Sequence, residues 1–178
     1  MLLADWQIKA MSLSSLALLT PCNLPCLNPY GYDLTLGNEF LIPKLSGAEF
    51  WHTVDPFNPP IFSQEFHYDF IVVPPHNFVL GASVEYVRLP RDIMAICMGR
   101  STYARVGIIT NVTPLEAGWE GVVTIEISNT SPFPVMVHVG KGIVQAVFLR
   151  GEQPPERDYV QKGGRYQGQT QVTQGKAE

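Results

Sequence analysis

From residue 30 onward, apolar and polar side chains alternate in short runs, each closed by Gly, Pro, Asn or Asp. A period of two over several residues marks a strand with one face buried and one face wet. YDLTLGNEFLIP (Tyr32 to Pro43) reads as such a strand, with a turn at Gly37-Asn38. FHYDFIVVPP, FVLGASVEYVRLP, IMAICMG, VGIITNVT, VVTIEISN, PVMVHVG and IVQAVFLR follow at strand length. Their spacing of roughly ten residues is that of an all-β barrel or double sheet. The expected fold is therefore mostly β, a distorted barrel, with Asp55-Pro56-Phe57-Asn58-Pro59-Pro60 as an irregular loop.

The two ends depart from this pattern. Asp5 to Leu19 predicts one short amphipathic helix, with Asp5 near its start. The apolar run LSSLALL inside it is too short to span a bilayer and lacks the basic lead-in of a secretory signal. From Gly151 the chain turns polar: GEQPPERDYVQKGGRYQGQTQVTQGKAE has too few aliphatic residues to build a core. Termini of this kind commonly fray. Yet Tyr159, Arg165, Tyr166 and Gln169 sit beside Gly163, Gly164 and Gly168, which is what a lid folding over an anion requires. The expected organisation is one domain over 1–178: a helix and loop at 1–29, a β core at 30–150 and a lid tail at 151–178.

Composition narrows the function. The 178 residues are 46% hydrophobic and 16% charged, enough apolar material for one core. A formal charge of −4 excludes a broad basic face, so neither nucleic acid nor a membrane surface is an expected partner. A small anionic ligand needs only a local cation cluster. Three cysteines (Cys22, Cys26 and Cys97) without a disulfide framework suit a reduced, cytoplasmic setting. Cys22 and Cys26 have no second pair to complete a metal site.

Such a cation cluster exists in GRSTYARVG, Gly99 to Gly107. It is not a Walker loop, but Arg100, Ser101, Thr102 and Arg105 bring two guanidiniums and two hydroxyls to one strand end. Those donors suit phosphate oxygens. In VVTIEISN, alternation sends Val123, Ile125 and Ile127 to one face and Val122, Thr124, Glu126 and Ser128 to the other. Glu126 is then either a solvated surface carboxylate or a functional one, and its apolar flanks favour function. Desolvation would raise its pKa, a nearby cation would lower it, and Arg105 is the natural cation. Either state suits proton transfer. Trp119 either packs on a ligand or caps the core, and Gln145 is either ligand-facing or exposed. His52, His67, His76 and His138 are scattered and carry no assigned role.

Taken together, GRSTYARVGIITNVTPLEAGWEGVVTIEISN, GIVQAVF and the tail GGRYQGQ closely resemble the dCTP deaminase family, the deaminating branch of the trimeric dUTPase-like superfamily. YGYDLTLGNEF and PPHNFVLGASVEYVRLP match its earlier strands, and DWQIKAM is similar to its opening helix. The resemblance implies a dUTPase-like, β-clip barrel, a homotrimer with shared active sites, and hydrolysis of dCTP to dUTP and ammonia for dUMP and dTTP synthesis. It implies Glu126 as general base and proton shuttle, with Ser101 and Arg105 holding water and polarising the site. It further implies Arg100, Thr102 and Gln145 as phosphate or sugar contacts, with Tyr103 and Ala104 completing that binding run. Thr124 and Ile125 match the strand that pairs with the base. Tyr159, Arg165 and Gln169 match the tail that clasps the triphosphate, which travels with Mg2+. By the same resemblance dTTP is an expected feedback inhibitor.

No histidine is followed two positions later by glutamate, and Pro21-Cys22-Asn23-Leu24-Pro25-Cys26 has the wrong spacing for a zinc deaminase, so no zinc is expected. Two departures from the family pattern stand out. Arg165 replaces a lysine, and Leu115-Glu116 replaces an Ile-Asp pair, which keeps Glu116 outside the catalytic set. The alternatives are a bifunctional deaminase and dUTPase giving dUMP and pyrophosphate, or a non-catalytic nucleotide-binding trimer. The joint presence of Ser101, Arg105 and Glu126 speaks against a decayed site.

Overall fold

The computed structural model describes residues 1–44, 54–59 and 61–176. His52 and Pro60 lie outside the described residues. Helix α1 (Asp5–Leu13) opens the chain and leads through β1 (Leu19–Thr20) and β2 (Leu27–Asn28) into the long strand β3 (Gly31–Pro43). Strands β4 (Phe62–Phe66), β5 (Phe70–Val73), β6 (Phe78–Arg88) and β7 (Ile93–Gly99) follow. A single helical turn, α2 (Ser101–Ala104), separates β7 from β8 (Ile108–Asn111). Strands β9 (Glu120–Asn129), β10 (Val135–His138) and β11 (Gly142–Arg150) complete the body.

Nine strands form one antiparallel sheet ordered β7-β11-β3-β6-β9-β8, with β1 added to β6 and β2 and β4 added to β3. Its two ends nearly meet: a Cβ placed on Gly99 of β7 would fall 2.7 Å from Thr110 Oγ1 of β8. Curling a twisted sheet until its edges approach is how a small barrel encloses its core. The remaining pair, β5 and β10, forms a separate ribbon. Buried Asn129 ties it to the sheet by donating to Val73 O at 2.9 Å.

The expected alternation is what fills the barrel. Tyr32, Leu34, Leu36 and Phe40 of β3, Val123, Ile125 and Ile127 of β9, and Ile143, Ala146 and Phe148 of β11 are all essentially inaccessible. Each large apolar side chain so buried contributes roughly 1.5–3 kcal/mol. Helix α1 closes one side through Ile8, joined by Leu3 just before it. Among the described residues no helix is long and apolar enough to cross a membrane.

Two expectations need correction. Gly37-Asn38 is no turn: β3 runs straight through, and its register against β6 slips between Leu36 and Phe40. The strand exchanges partners there, pairing with β11 at Tyr32–Thr35 and with β4 from Glu39, so a bulge absorbs the irregularity. Helix α1 stops at Leu13 rather than Leu19. Ser12 Oγ bonds back to Ile8 O and Ser14 Oγ to Met11 O; such serines offer the backbone an exit from the helix.

Candidate active site

Strand β9 carries the centre of the site. Its inward residues are locked in the core, which forces Thr124 and Glu126 onto the opposite face. There they line a cavity of about 640 Å3, together with Phe78, Leu80, Trp119 and Tyr159. A cavity of this size can hold a nucleotide-sized ligand. Ile125 is fully buried, so only its backbone can serve a ligand. Strand β8 pairs with β9 only from Glu126 onward, and the tail bridges β9 at Gly121. On the side away from β6, the β9 edge around Thr124 therefore has no strand partner among the described residues and can offer backbone groups to a flat, hydrogen-bonding ring.

Glu126 is half-buried, and burial pushes its pKa above the ordinary carboxylate value. Two hydrogen bonds oppose that rise: one from its own backbone, and one from Asn111 Nδ2 to Oε2 at 3.2 Å. Among the described residues no cation is a cause of the shift. The carboxyl therefore holds its proton more tightly than an ordinary glutamate, which suits a group that both takes and gives a proton.

The tail is laid across this cavity. Gly168 N donates to Glu120 O and Val122 N to Gln169 O, both at 2.8 Å, fastening the tail beside β9. Trp119 Nε1 donates to Tyr166 O at 2.9 Å, so this tryptophan both caps the core and holds the tail. Tyr166 N donates to Tyr159 OH, and Thr173 N to Thr124 Oγ1. Val172 is buried against Leu80 and Ala82. Tyr159 and Gln169 line the cavity, and Gln169 Oε1 is a buried acceptor without a partner among the described residues. Arg165 is exposed and is not part of the cavity wall.

GRSTYAR does not line this cavity. Tyr103 is buried, and its hydroxyl accepts from His138 N at 3.3 Å, so one side chain anchors the whole turn. Ser101, Thr102, Ala104 and Arg105 are consequently exposed. Gly107 ends the segment at φ +84°, a conformation that favours glycine, and a Cβ there would meet Ser131 Cβ at 2.8 Å. Ser101, Thr102 and Arg105 have no side-chain hydrogen bond or ion pair among the described residues. Arg100 pairs with Asp33, and Gln145 stands opposite Asp33 on β11.

The structure thus brings Glu126, Thr124, Tyr159 and Gln169 together on one cavity wall, and Ser101, Arg105, Arg100, Thr102 and Gln145 are not part of that wall. Asn111 and Asp33 were not singled out in the sequence. Both sit in recognisable strand segments, but their importance depends on cross-strand register, which alternation does not disclose. Glu116 lines the cavity and is paired with Lys162 at 3.2 Å.

A family model described as dCTP deaminase-like matches residues 2–151. The chain is 49% identical over 149 residues to the dCTP deaminase of Gemmatimonas aurantiaca, covering 83% of this chain and 79% of that protein. It is 47% identical over 151 residues to the dCTP deaminase of Campylobacter fetus subsp. fetus, covering 83% and 78%. Among solved structures, the 2'-deoxycytidine 5'-triphosphate deaminase from Agrobacterium tumefaciens superposes with a TM-score of 0.68 at 23% identity. That match covers 84% of this chain and 48% of the solved one, so this chain spans about half its length.

Proposed function

The chain belongs to the dCTP deaminase family, and from that premise we propose that it hydrolyses dCTP to dUTP and ammonia. The observation that carries this reading is Glu126: a half-buried carboxyl with a raised pKa, on the wall of a nucleotide-sized cavity. As a water oxygen bonds to C4, Glu126 takes its proton and passes it to N3. A second proton, carried from the new hydroxyl to the amino group, lets the C4–N bond break. Ammonia leaves and C4 keeps a carbonyl, so one water is consumed for each ammonia released. A positioned carboxylate of this kind contributes about 10²–10⁴ in rate.

Ser101 and Arg105 hold the water and polarise the ring in this scheme, and they come from a neighbouring copy in a homotrimer. Two features support that arrangement. Their side chains are exposed and unpartnered among the described residues, and they stand near apolar side chains that are also exposed: Met98, Val106 and Ile109. Exposed apolar side chains in the same stretch of chain as polar functional groups favour association. Arg100, Thr102 and Gln145 would receive phosphate and sugar from that same face, with Tyr103 and Ala104 forming the supporting turn. The β9 edge at Thr124 and Ile125 would receive the base, and Tyr159, Arg165 and Gln169 would close the tail over the triphosphate. Mg2+ enters with the triphosphate as part of the substrate. dTTP, which shares sugar and triphosphate with the substrate, competes for the site.

Incubation with dCTP, with ammonia measured and nucleotides separated, tests the reading. One dUTP per ammonia is expected. Release of dUMP and pyrophosphate would replace it with the bifunctional reading, for which Glu116 on the cavity wall is a second available carboxylate. Absence of ammonia would leave a nucleotide-binding protein without this chemistry.

A further inference from the structure

Asp33 places a carboxylate on a surface otherwise equipped for anions. It lies on β3 with a side chain only 13% exposed. Asn28 Nδ2 donates to its Oδ1 at 2.9 Å, and its Oδ2 meets Arg100 Nε at 3.2 Å. Arg100 Nη1 in turn donates to Gly142 O at 3.4 Å. Gly142 lies against both groups: a Cβ there would fall 2.8 Å from Arg100 Nη1 and 3.0 Å from Asp33 Cβ. The absence of a side chain at 142 is therefore what lets the guanidinium lie on the sheet.

The ion pair draws Nε inward, and one Nη1 proton is used by Gly142 O. Nη2 keeps both its protons without a partner among the described residues. An arginine on an open surface samples many rotamers and loses that freedom when it binds phosphate; holding it beforehand removes the cost. The carboxylate also has an opposing effect, because it cancels the guanidinium charge that would attract a triphosphate. The two effects predict opposite consequences for removing it.

We propose that Asp33 is a positioning residue: it fixes the Arg100 guanidinium, with Nη2 outward, to receive an oxygen of the substrate triphosphate. This rests on the reading of Arg100 as a phosphate contact. Asn28 and Gly142 complete the mount, and Gln145, the register partner of Asp33, flanks it. Asp33 acts through Arg100 and touches no reacting atom.

The test compares KM and kcat for dCTP in the wild type, Asp33→Asn, Asp33→Ala, Arg100→Ala and the double variant Asp33→Ala/Arg100→Ala. Loss of one charge-assisted hydrogen bond is worth about tenfold, so KM in Asp33→Ala should rise about tenfold with a much smaller fall in kcat. Asp33→Asn, which keeps an acceptor, should show a rise of about threefold even though the protein becomes less negative. In the Arg100→Ala background the Asp33→Ala change should add less than about twofold, the sign of coupled residues. Tighter dCTP binding in Asp33→Asn would overturn the proposal, because charge removal would then outweigh positioning. An equal penalty in the Arg100→Ala background would also overturn it, by making Asp33 merely structural. If Asp33→Ala does not fold, Asp33→Asn carries the comparison alone, with its thermal midpoint matched to wild type. If the wild type releases no ammonia, the deaminase reading fails separately, and the dCTP dissociation constant by equilibrium dialysis still reads the same contrasts.

Discussion

Asn111 of β8 stands opposite Glu126 of β9, and its amide donates to Glu126 Oε2 at 3.2 Å. This bond favours the ionised carboxylate, while burial favours the neutral acid, and burial prevails. A base must be ionised to take a proton from water, so activity falls as pH drops through the raised pKa. The acidic limb of kcat/KM for dCTP is therefore expected above the ordinary carboxylate range. Asn111→Ala removes a contact that favours the charged form and moves the limb to still higher pH. On the acidic limb the variant should lose roughly two- to tenfold, the worth of one such bond, and regain it as the pH is raised above the limb. A pH profile superimposable on wild type would refute this role for Asn111.

Ser101 does not line the cavity that holds Glu126, and the proposed homotrimer makes a different kind of test available. Glu126→Gln should bind dCTP yet lose about 10²–10⁴ of its ammonia release, and Ser101→Ala should also be nearly inactive. If each site takes Glu126 from one copy and Ser101 from the next, mixing the two dead variants regenerates intact sites. Random exchange at equal amounts should restore about a quarter of wild-type sites, the fraction expected for a closed ring with one contribution from each neighbour. Denaturing and refolding the mixture supplies the exchange, and each variant refolded alone is the control. No recovery in a mixture that elutes as a trimer would mean that each copy builds its own site.

Much of this was legible in the sequence because strand alternation reports burial directly. In β9 the period of two put Ile125 and Ile127 inside and Glu126 outside, and the fold obeys it. Where neighbours decide the outcome, the sequence is silent. Gly37-Asn38 has the composition of a turn, but β11, β4 and β6 hold both sides of it in one continuous strand. The serines after Met11 look neutral in a helical window, yet their hydroxyls compete for the helix carbonyls. The burial of Tyr103 turns Arg105 outward to solvent, a consequence of how α2 docks rather than of any motif.

Glu85 is a buried carboxyl outside the site, 1% exposed, and burial raises its pKa. Thr35 N donates to Oε2 at 2.8 Å and Tyr32 OH to Oε1 at 3.2 Å, with no basic partner among the described residues. Since the folded pKa exceeds the unfolded value of about 4.3, the folded state binds the proton more tightly. That stabilisation is fully present below pH ~4.3 and disappears as pH rises through the folded pKa. Glu85→Gln keeps the shape and removes the titration. The stability of Glu85→Gln relative to wild type should therefore grow between pH 4 and pH 7 in denaturant titrations. A constant difference across that range would show that Glu85 does not titrate with folding.

The tail is fastened far more weakly than the barrel. Val172, 3% exposed, is its buried aliphatic anchor among the described residues, aided by the Trp119–Tyr166 bond. Val172→Ala removes two methyl groups from that contact, a loss of roughly 1.5 kcal/mol. Because the barrel core is untouched, the thermal midpoint should stay near wild type, while the tail opens about tenfold more often. The Val122 and Gly168 amides, which bond Gln169 O and Glu120 O, report that opening by hydrogen exchange. They should exchange about tenfold faster in Val172→Ala, while amides of β3 and β11 keep their protection. On the proposed role of the tail as a clasp for the triphosphate, KM for dCTP should rise in parallel. Unchanged exchange at Val122 would mean that the backbone ladder alone holds the tail, whereas a lower thermal midpoint would mean that tail and barrel unfold as one unit.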